Sequence, residues 1–228
     1  IDSAQKFHHR CHYKLEMNGD YLGDITFTQR KKFSDADIHF LEDLLSLLVH
    51  PLKNCLLYKK ALAAALLDDL TNLGNRAAYE KNLQREVERT KRHDTPLSLI
   101  VIDIDNFKSI NDKFGHSSGD KALKILADMI NHSLRSSDMA FRFGGEEFVL
   151  LLPETNIHHA EIVAERVRES VSQILSHDGK NSFSFTVSLG VAQLHTNEEG
   201  YHLFERADMA LYEAKHTGKN VTVCAKQP

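Results

Sequence analysis

The chain has 228 residues, 42% of them hydrophobic, and 28 basic against 32 acidic side chains leave a net charge of −4. That length predicts one to two domains of about 100 to 200 residues each. The slight acidity excludes an overall positive field able to hold a nucleic acid polymer or an anionic membrane, so an anionic ligand must be gripped locally. No apolar run reaches the about 18 residues of a membrane span; the richest stretch, 40–67, is interrupted by Glu42, Asp43, His50, Lys53, Lys59 and Lys60. Cys11, Cys55 and Cys224 lack metal-ligand spacing and suit a reducing compartment, so a cytoplasmic location is expected. The chain opens on Ile1 with no signal-peptide pattern and is expected to be a piece of a longer protein.

Residues 12–30 read as a hairpin: His12 to Met17, a turn at Asn18-Gly19-Asp20, and a return from Tyr21 to Thr28 with Leu22, Ile25 and Phe27 apolar. Ser34 followed by Asp37 predicts a helix N-cap, and the helical pattern continues to about Leu67. Ile38, Leu41, Leu45, Leu48, Leu52 and Cys55 keep a 3-4-3-4 spacing that Leu62 and Leu66 extend across Lys59, a heptad seam. Phe40, Leu44, Leu47, Pro51, Tyr58, Ala61 and Ala65 form a second stripe. Such a helix packs either on its own domain and a partner chain, or with both stripes inside one domain. Pro51 is expected to kink it near Leu47. His8, His9, Cys11 and His12 are too crowded along the chain to aim at one ion and read as solvated.

From Asp68 the pattern becomes helix, strand, helix, helix, hairpin, helix, strand, helix, strand. Leu97–Ile104 is a continuous apolar strand, Phe141–Phe143 and Phe148–Leu152 flank a Gly-Gly turn, and Phe183–Ala192 reads as another long strand. This order predicts an α+β fold, a mostly antiparallel central sheet covered by helices.

Strand 97–104 ends in Asp103-Ile104-Asp105, whose two carboxylates share a face by the strand's period of two. The hairpin tip Gly144-Gly145-Glu146-Glu147 adds two more acids, its glycines expected to supply the positive φ of a tight turn. If the strands are neighbours, three or four carboxylates converge. Oxygen ligands of this kind select Mg²⁺ or Mn²⁺, completed by substrate phosphates, which implies nucleotide chemistry.

Gly144-Gly145-Glu146-Glu147-Phe148 matches the signature of the GGDEF family, the diguanylate cyclases, in its GGEEF form. Around it stand Asp68-Asp69-Leu70-Thr71-Asn72-Leu73-Gly74-Asn75-Arg76, with Asn72 in place of the usual Gly, Asp103 to Asp112 in the pattern Asp-x-Asp-x-Phe-Lys-x-x-Asn-Asp, and Phe114-Gly115-His116-Ser117-Ser118-Gly119-Asp120. Thr186 to Ala192 and Ala207 to Asn220 resemble the family's last motifs. The resemblance covers roughly residues 68–226, and the domain that it implies is expected over 68–228. Asn72 is expected to adopt the left-handed backbone of the glycine it replaces. Residues 1–67 resemble the C-terminal end of a GAF sensor domain with a long exit helix.

The resemblance implies a sheet like the palm of polymerases and nucleotidyl cyclases, condensing two GTP into cyclic di-GMP. Asp103, the Ile104 carbonyl, Glu146 and Glu147 would hold two Mg²⁺ or Mn²⁺, with Glu147 serving the second metal or accepting the 3′-hydroxyl proton. Amides around Asn106, Phe107 and Lys108, with the Lys108, Lys215 and Lys219 side chains, would bind the triphosphate; Lys219 stands where many members have Arg. Asn111 and Asp120 would read guanine, favouring GTP over ATP. Arg135 and Asp138 occupy the family's inhibitory Arg-x-x-Asp spacing, where cyclic di-GMP would bind with help from Arg166. One catalytic domain holds one GTP, so a homodimer is implied. The rival reading is a non-catalytic module that binds GTP or cyclic di-GMP and regulates a partner.

Overall fold

The computed structural model describes residues 9–178 and 181–226, without the side chains of 60–64, 177, 178 and 181, and the chain divides after Ala65 into two compact units. Ile1, His8 and the side chains of Ala61 and Leu62 lie outside the described residues.

In the first unit, β1 (His9–Met17) pairs antiparallel with β2 (Asp20–Gln29). Asn18 and Gly19 both take positive φ, 56° and 84°, the turn geometry that matches the twist of the flanking strands. His12 Nδ1 lies 3.0 Å from Thr26 Oγ1 and its Nε2 lies 3.5 Å from Asp24, so cross-strand neighbours engage this ring. Helix α1 (Asp35–Ala64) opens on a reciprocal cap: the Asp37 amide donates to Ser34 Oγ at 3.2 Å, and the Ser34 amide donates to Asp37 Oδ2 at 2.8 Å. It continues through Pro51.

The heptad seam does not form one buried face. Ile38, Leu41, Leu45 and Leu52 turn inward, whereas Leu48 and Cys55 are exposed and Val49 and Leu56 take their places. A straight helix turns every ~3.6 residues and drifts off a strict 3.5 repeat, so the covered stripe follows the helical period. The second stripe is solvent-facing, with Phe40, Leu47 and Tyr58 at 67%, 74% and 69% exposure. Leu66, read as the end of the seam, packs in the core of the second unit.

The second unit comprises α2 (Arg76–His93), β3 (Leu97–Ile104), α3 (Phe107–Phe114), α4 (His116–Ser133), β4 (Met139–Arg142), β5 (Glu147–Pro153), α5 (Ile157–Ser172), β6 (Ser176–Asp178), β7 (Asn181–Phe183), β8 (Val187–Gln193), α6 (Gly200–His216) and β9 (Thr222–Cys224). Its main sheet runs β4-β5-β3-β8-β9, and only the β8–β9 pair is parallel. Central β3 is covered on both faces, which is why it reads as an unbroken apolar run. Leu97, Leu99 and Val101 pack with residues of α2 and α6, and Ile100, Ile102 and Ile104 with residues of α4 and α5.

The strand expected over 183–192 is broken. β7 stops at Phe183, paired with β6 in a separate two-stranded sheet, and β8 begins at Val187 on β3; between them the Thr186 carbonyl accepts from the Asp105 amide at 2.9 Å and its hydroxyl donates to Asp105 Oδ2 at 2.7 Å. Asn72 takes φ 57°, the left-handed backbone expected of it. At Gly190 a Cβ would collide with the Ala207 carbonyl and Leu211 amide of α6. The bare glycine lets the helix backbone lie directly on β8, which carries the last turn of α6 toward the C-terminal end of β3.

Candidate active site

Alternation along β3 puts Asp103 on the α6 side, where its register partners are Glu147 of β5 and Ser188 of β8. The β4–β5 turn is closed by the Phe143 and Gly144 amides donating to the Glu147 carbonyl at 2.8 and 3.3 Å. The Ile104 amide donates to the Glu146 carbonyl at 3.4 Å. Asp103, Glu146 and Glu147 are thereby gathered at the end of the sheet.

The turn glycines do not act as expected, for neither Gly144 nor Gly145 takes positive φ. A Cβ on Gly144 would stand 2.7 Å from Glu147 Oε2. This glycine reserves space for a carboxylate instead of enabling a strained backbone.

Burial raises the carboxyls of Asp103, Glu146 and Glu147 above the ordinary range. Repulsion from Asp103 adds to this at both glutamates, and Asp208 adds at Glu147, while Arg76 and Lys215 pull the other way. Asp105 behaves in the opposite sense. Burial alone would raise it, but the hydroxyls of Ser188 and Thr186, each donating at 2.7 Å, together with Lys215 Nζ at 2.9 Å hold it below the usual range. The Asn220 amide also donates to it at 2.9 Å. At 4% exposure, Asp105 is the knot that ties β3 to the start of β8 and the segment after α6.

Lys215 donates to Asp103 Oδ1 at 2.6 Å, to Asp105 Oδ1 at 2.9 Å and to the Asp103 carbonyl at 3.3 Å. Lys219 donates to Asn106 Oδ1 at 2.5 Å. Both lysines read as triphosphate ligands therefore lie along the Asp103–Asn106 segment, and Lys108 is exposed in the first turn of α3. Among the described residues no three acidic, histidine or cysteine side chains already converge on one point, which corrects the expected convergence. Asp103 is engaged by Lys215. The donor set still suits a hard divalent cation, because three carboxyls are held high by burial and both glutamates are repelled by Asp103.

Phe107 and Asn111 meet Gly119 where α3 packs on α4, and Asp120 is the next residue of α4. A Cβ at Gly119 would collide with Asn111 Oδ1 and approach Phe107 Cζ to 3.2 Å, so the glycine admits the amide. Asn111 is half-buried there and Asp120 is exposed. Between α4 and β4, Asp138 Oδ2 accepts from the Arg135 amide at 2.9 Å and the Arg135 guanidinium is exposed. Arg166 donates to the Ser133 carbonyl at 2.6 Å, which anchors it two residues from Arg135.

Sequence reading counted Asp105 among the acids expected to converge, whereas the structure commits it to Ser188, Thr186, Lys215 and the Asn220 amide; it assigned no role to Arg76, Asp208 or Arg142. Arg142 donates to both Asp68 oxygens at 3.2 and 3.1 Å and to the Gly145 carbonyl at 2.7 Å. Arg76 stacks on Phe143, 4.6 Å from the ring centroid. The available signal was the alternation of Thr186 and Ser188, two hydroxyls on one face of a strand and suited to a buried acid.

A family model described as diguanylate cyclase, GGDEF domain, matches residues 65–221. Diguanylate cyclase DgcS of Shewanella oneidensis is 43% identical over 180 residues, covering 79% of this chain and 60% of that protein. Diguanylate cyclase DgcP of Pseudomonas aeruginosa is 47% identical over 156 residues, covering 68% of this chain and 23% of that protein. The chain thus spans only part of the length of either relative. The crystal structure of the coiled coil and GGDEF domain of DgcB from Caulobacter crescentus in complex with c-di-GMP aligns with a TM-score of 0.76 and 31% identity, over 81% of this chain and 99% of that one. With the Gly144–Phe148 signature on its hairpin and the acids at the end of β3, this chain belongs to the GGDEF family.

Proposed function

We propose that the chain is a diguanylate cyclase that condenses two GTP into cyclic di-GMP and two pyrophosphates. The observation that carries this reading is the cross-strand pairing of Asp103 with Glu147, beside Glu146, with all three carboxyls held above the ordinary range. Asp103, the Ile104 carbonyl, Glu146 and Glu147 are the residues that would hold two Mg²⁺ or Mn²⁺. When bound, these ions supply charge stabilisation to the attacking and leaving oxygens.

The chain's own residues do the rest. Asn111 and Asp120 hydrogen-bond the guanine edge, and Phe107, Lys108, Lys215 and Lys219 with the amides opening α3 hold the triphosphate. Glu147, whose carboxyl burial already makes more basic than usual, takes the 3′-hydroxyl proton as that oxygen bonds to the opposite α-phosphorus and the α–β anhydride breaks. Two domains face each other, so the working unit is a homodimer. Arg135, Asp138 and Arg166 bind cyclic di-GMP as an inhibitory product. Residues 1–67 serve as the end of a GAF-like sensor, and the protein works in the cytoplasm.

Incubation of the purified chain with GTP and Mg²⁺, with and without Glu147→Gln, followed by chromatography tests the reading. Cyclic di-GMP from the parent and little from the variant is expected. Tight GTP binding with no product from the parent would favour the non-catalytic module.

A further inference from the structure

A lysine ammonium carries three N–H donors, and Lys215 commits all of them to the acidic end of β3: Asp103 Oδ1 at 2.6 Å, Asp105 Oδ1 at 2.9 Å and the Asp103 carbonyl at 3.3 Å. None remains for a phosphate oxygen. Asp105 does not depend on this lysine, because Ser188, Thr186 and the Asn220 amide also bond it. Asp103 does, since Lys215 is the cation paired with its carboxylate and burial already disfavours its charge.

An ammonium 2.6 Å from a carboxylate oxygen and a divalent ion on that same oxygen would set two cations against each other in a poorly hydrated site. Stripping the ammonium away with nothing in its place leaves a part-buried charge unpaired. Only a one-for-one exchange avoids both costs. The exchange needs no movement of α6, whose backbone is seated at Gly190; the lysine side chain alone must swing.

We propose that Lys215 is a tethered cation standing in for a divalent ion at Asp103 in the nucleotide-free protein, and that it releases this carboxylate to a metal-bound triphosphate by transferring its ammonium to the phosphates. This rests on the reading of these acids as a metal-dependent triphosphate site. The empty protein then binds free divalent ions poorly, and metal uptake is coupled to the arrival of the anion that gives Lys215 a new partner.

The test is Mn²⁺ affinity of the whole chain without nucleotide, followed by electron paramagnetic resonance of free Mn²⁺, for the parent, Lys215→Met and Lys215→Arg. The Met variant is expected to bind Mn²⁺ at least about tenfold more tightly than the parent, and the Arg variant, which keeps a tethered charge, within about threefold of it. Equal or weaker binding by a folded Met variant, or no measurable binding by either chain, overturns the proposal. A measurement on the parent alone decides the matter if the variant does not fold. The ¹⁵N resonance of the Lys215 ammonium should shift strongly with Mg²⁺ plus a non-hydrolysable GTP analogue, and little with Mg²⁺ alone; a resonance unmoved by both together refutes the exchange. Tighter Mn²⁺ binding by the variant, with no cyclic di-GMP from the parent, would sink the catalytic reading and keep this one. Product from the parent with unchanged Mn²⁺ affinity in the Met variant would do the reverse.

Discussion

The two hairpins of this protein, β1–β2 and β4–β5, both turn through glycine and use it for different physical reasons. At Asn18-Gly19 the backbone itself is left-handed, with φ of 56° and 84°, and a Cβ on Gly19 would meet nothing within 4 Å. At Gly144 the backbone is not left-handed, and the absent Cβ makes room for the Glu147 carboxylate 2.7 Å away. One glycine sets the path of the chain; the other sets the position of an acid. A turn glycine therefore says that something tight occurs at its position, and the structure says whether the tightness lies in torsion or in space.

The contrast can be sharpened first at the acid itself. Glu147→Gln should lower cyclic di-GMP formation about 10²- to 10⁴-fold, measured by chromatography of the product, with the fold intact by circular dichroism. Gly144→Ala comes next. The added methyl meets the far end of a flexible side chain, so the melting temperature should hardly move while displacement of the carboxylate lowers the rate up to about 100-fold. A large loss of stability with normal turnover would collapse the distinction between the hairpins. Gly19→Ala should do the opposite, costing about 1–2 kcal/mol for a left-handed residue with a Cβ, seen as faster amide exchange in β1 and β2.

The smallest effect concerns pH. The raised carboxyls of Asp103, Glu146 and Glu147 keep their protons in the folded chain at pH values where the unfolded chain has lost them. Their contribution to stability is therefore greatest at low pH and is lost as pH climbs from the ordinary carboxylate range through the raised values. A divalent ion brought in with a non-hydrolysable GTP analogue offsets the exposed repulsion, so Mg²⁺ with the analogue should raise the melting temperature more at pH 7.5 than at pH 5. An equal rise at both would remove the acids of the β4–β5 turn from metal binding.

Much of this arrangement is legible in the sequence because local chemistry dictated it. Leu97–Ile104 forms a strand with the expected limits, since a run that is apolar on both faces has one stable setting, the middle of a covered sheet. Ser34 and Asp37 cap α1 reciprocally, and Asn72 adopts the backbone of the glycine it replaces. The misreadings share a different cause, long-range contact. Thr186 and Asp105 meet across 81 residues, and the partners of Lys215 lie 112 and 110 residues away. Leu48 and Cys55 lie outside the covered stripe of α1, because spacing alone cannot fix which side of a helix the elements of its own unit will cover. Gly119 and Gly190 carry no local signal of the side chain and the helix that press against them.

Arg142 joins the Asp68 carboxylate, 74 residues before it, to the Gly145 carbonyl, three residues after it. Thr71 braces the same carboxylate through its amide at 2.9 Å and its hydroxyl at 2.7 Å. The guanidinium is thus a strut between the point where the chain enters this unit and the turn that carries Glu146 and Glu147. Because one rigid plane makes both contacts, the Asp68 carboxylate and the Gly145 carbonyl are held at a fixed spacing, and the backbone just ahead of Glu146 and Glu147 has a covalently remote brace.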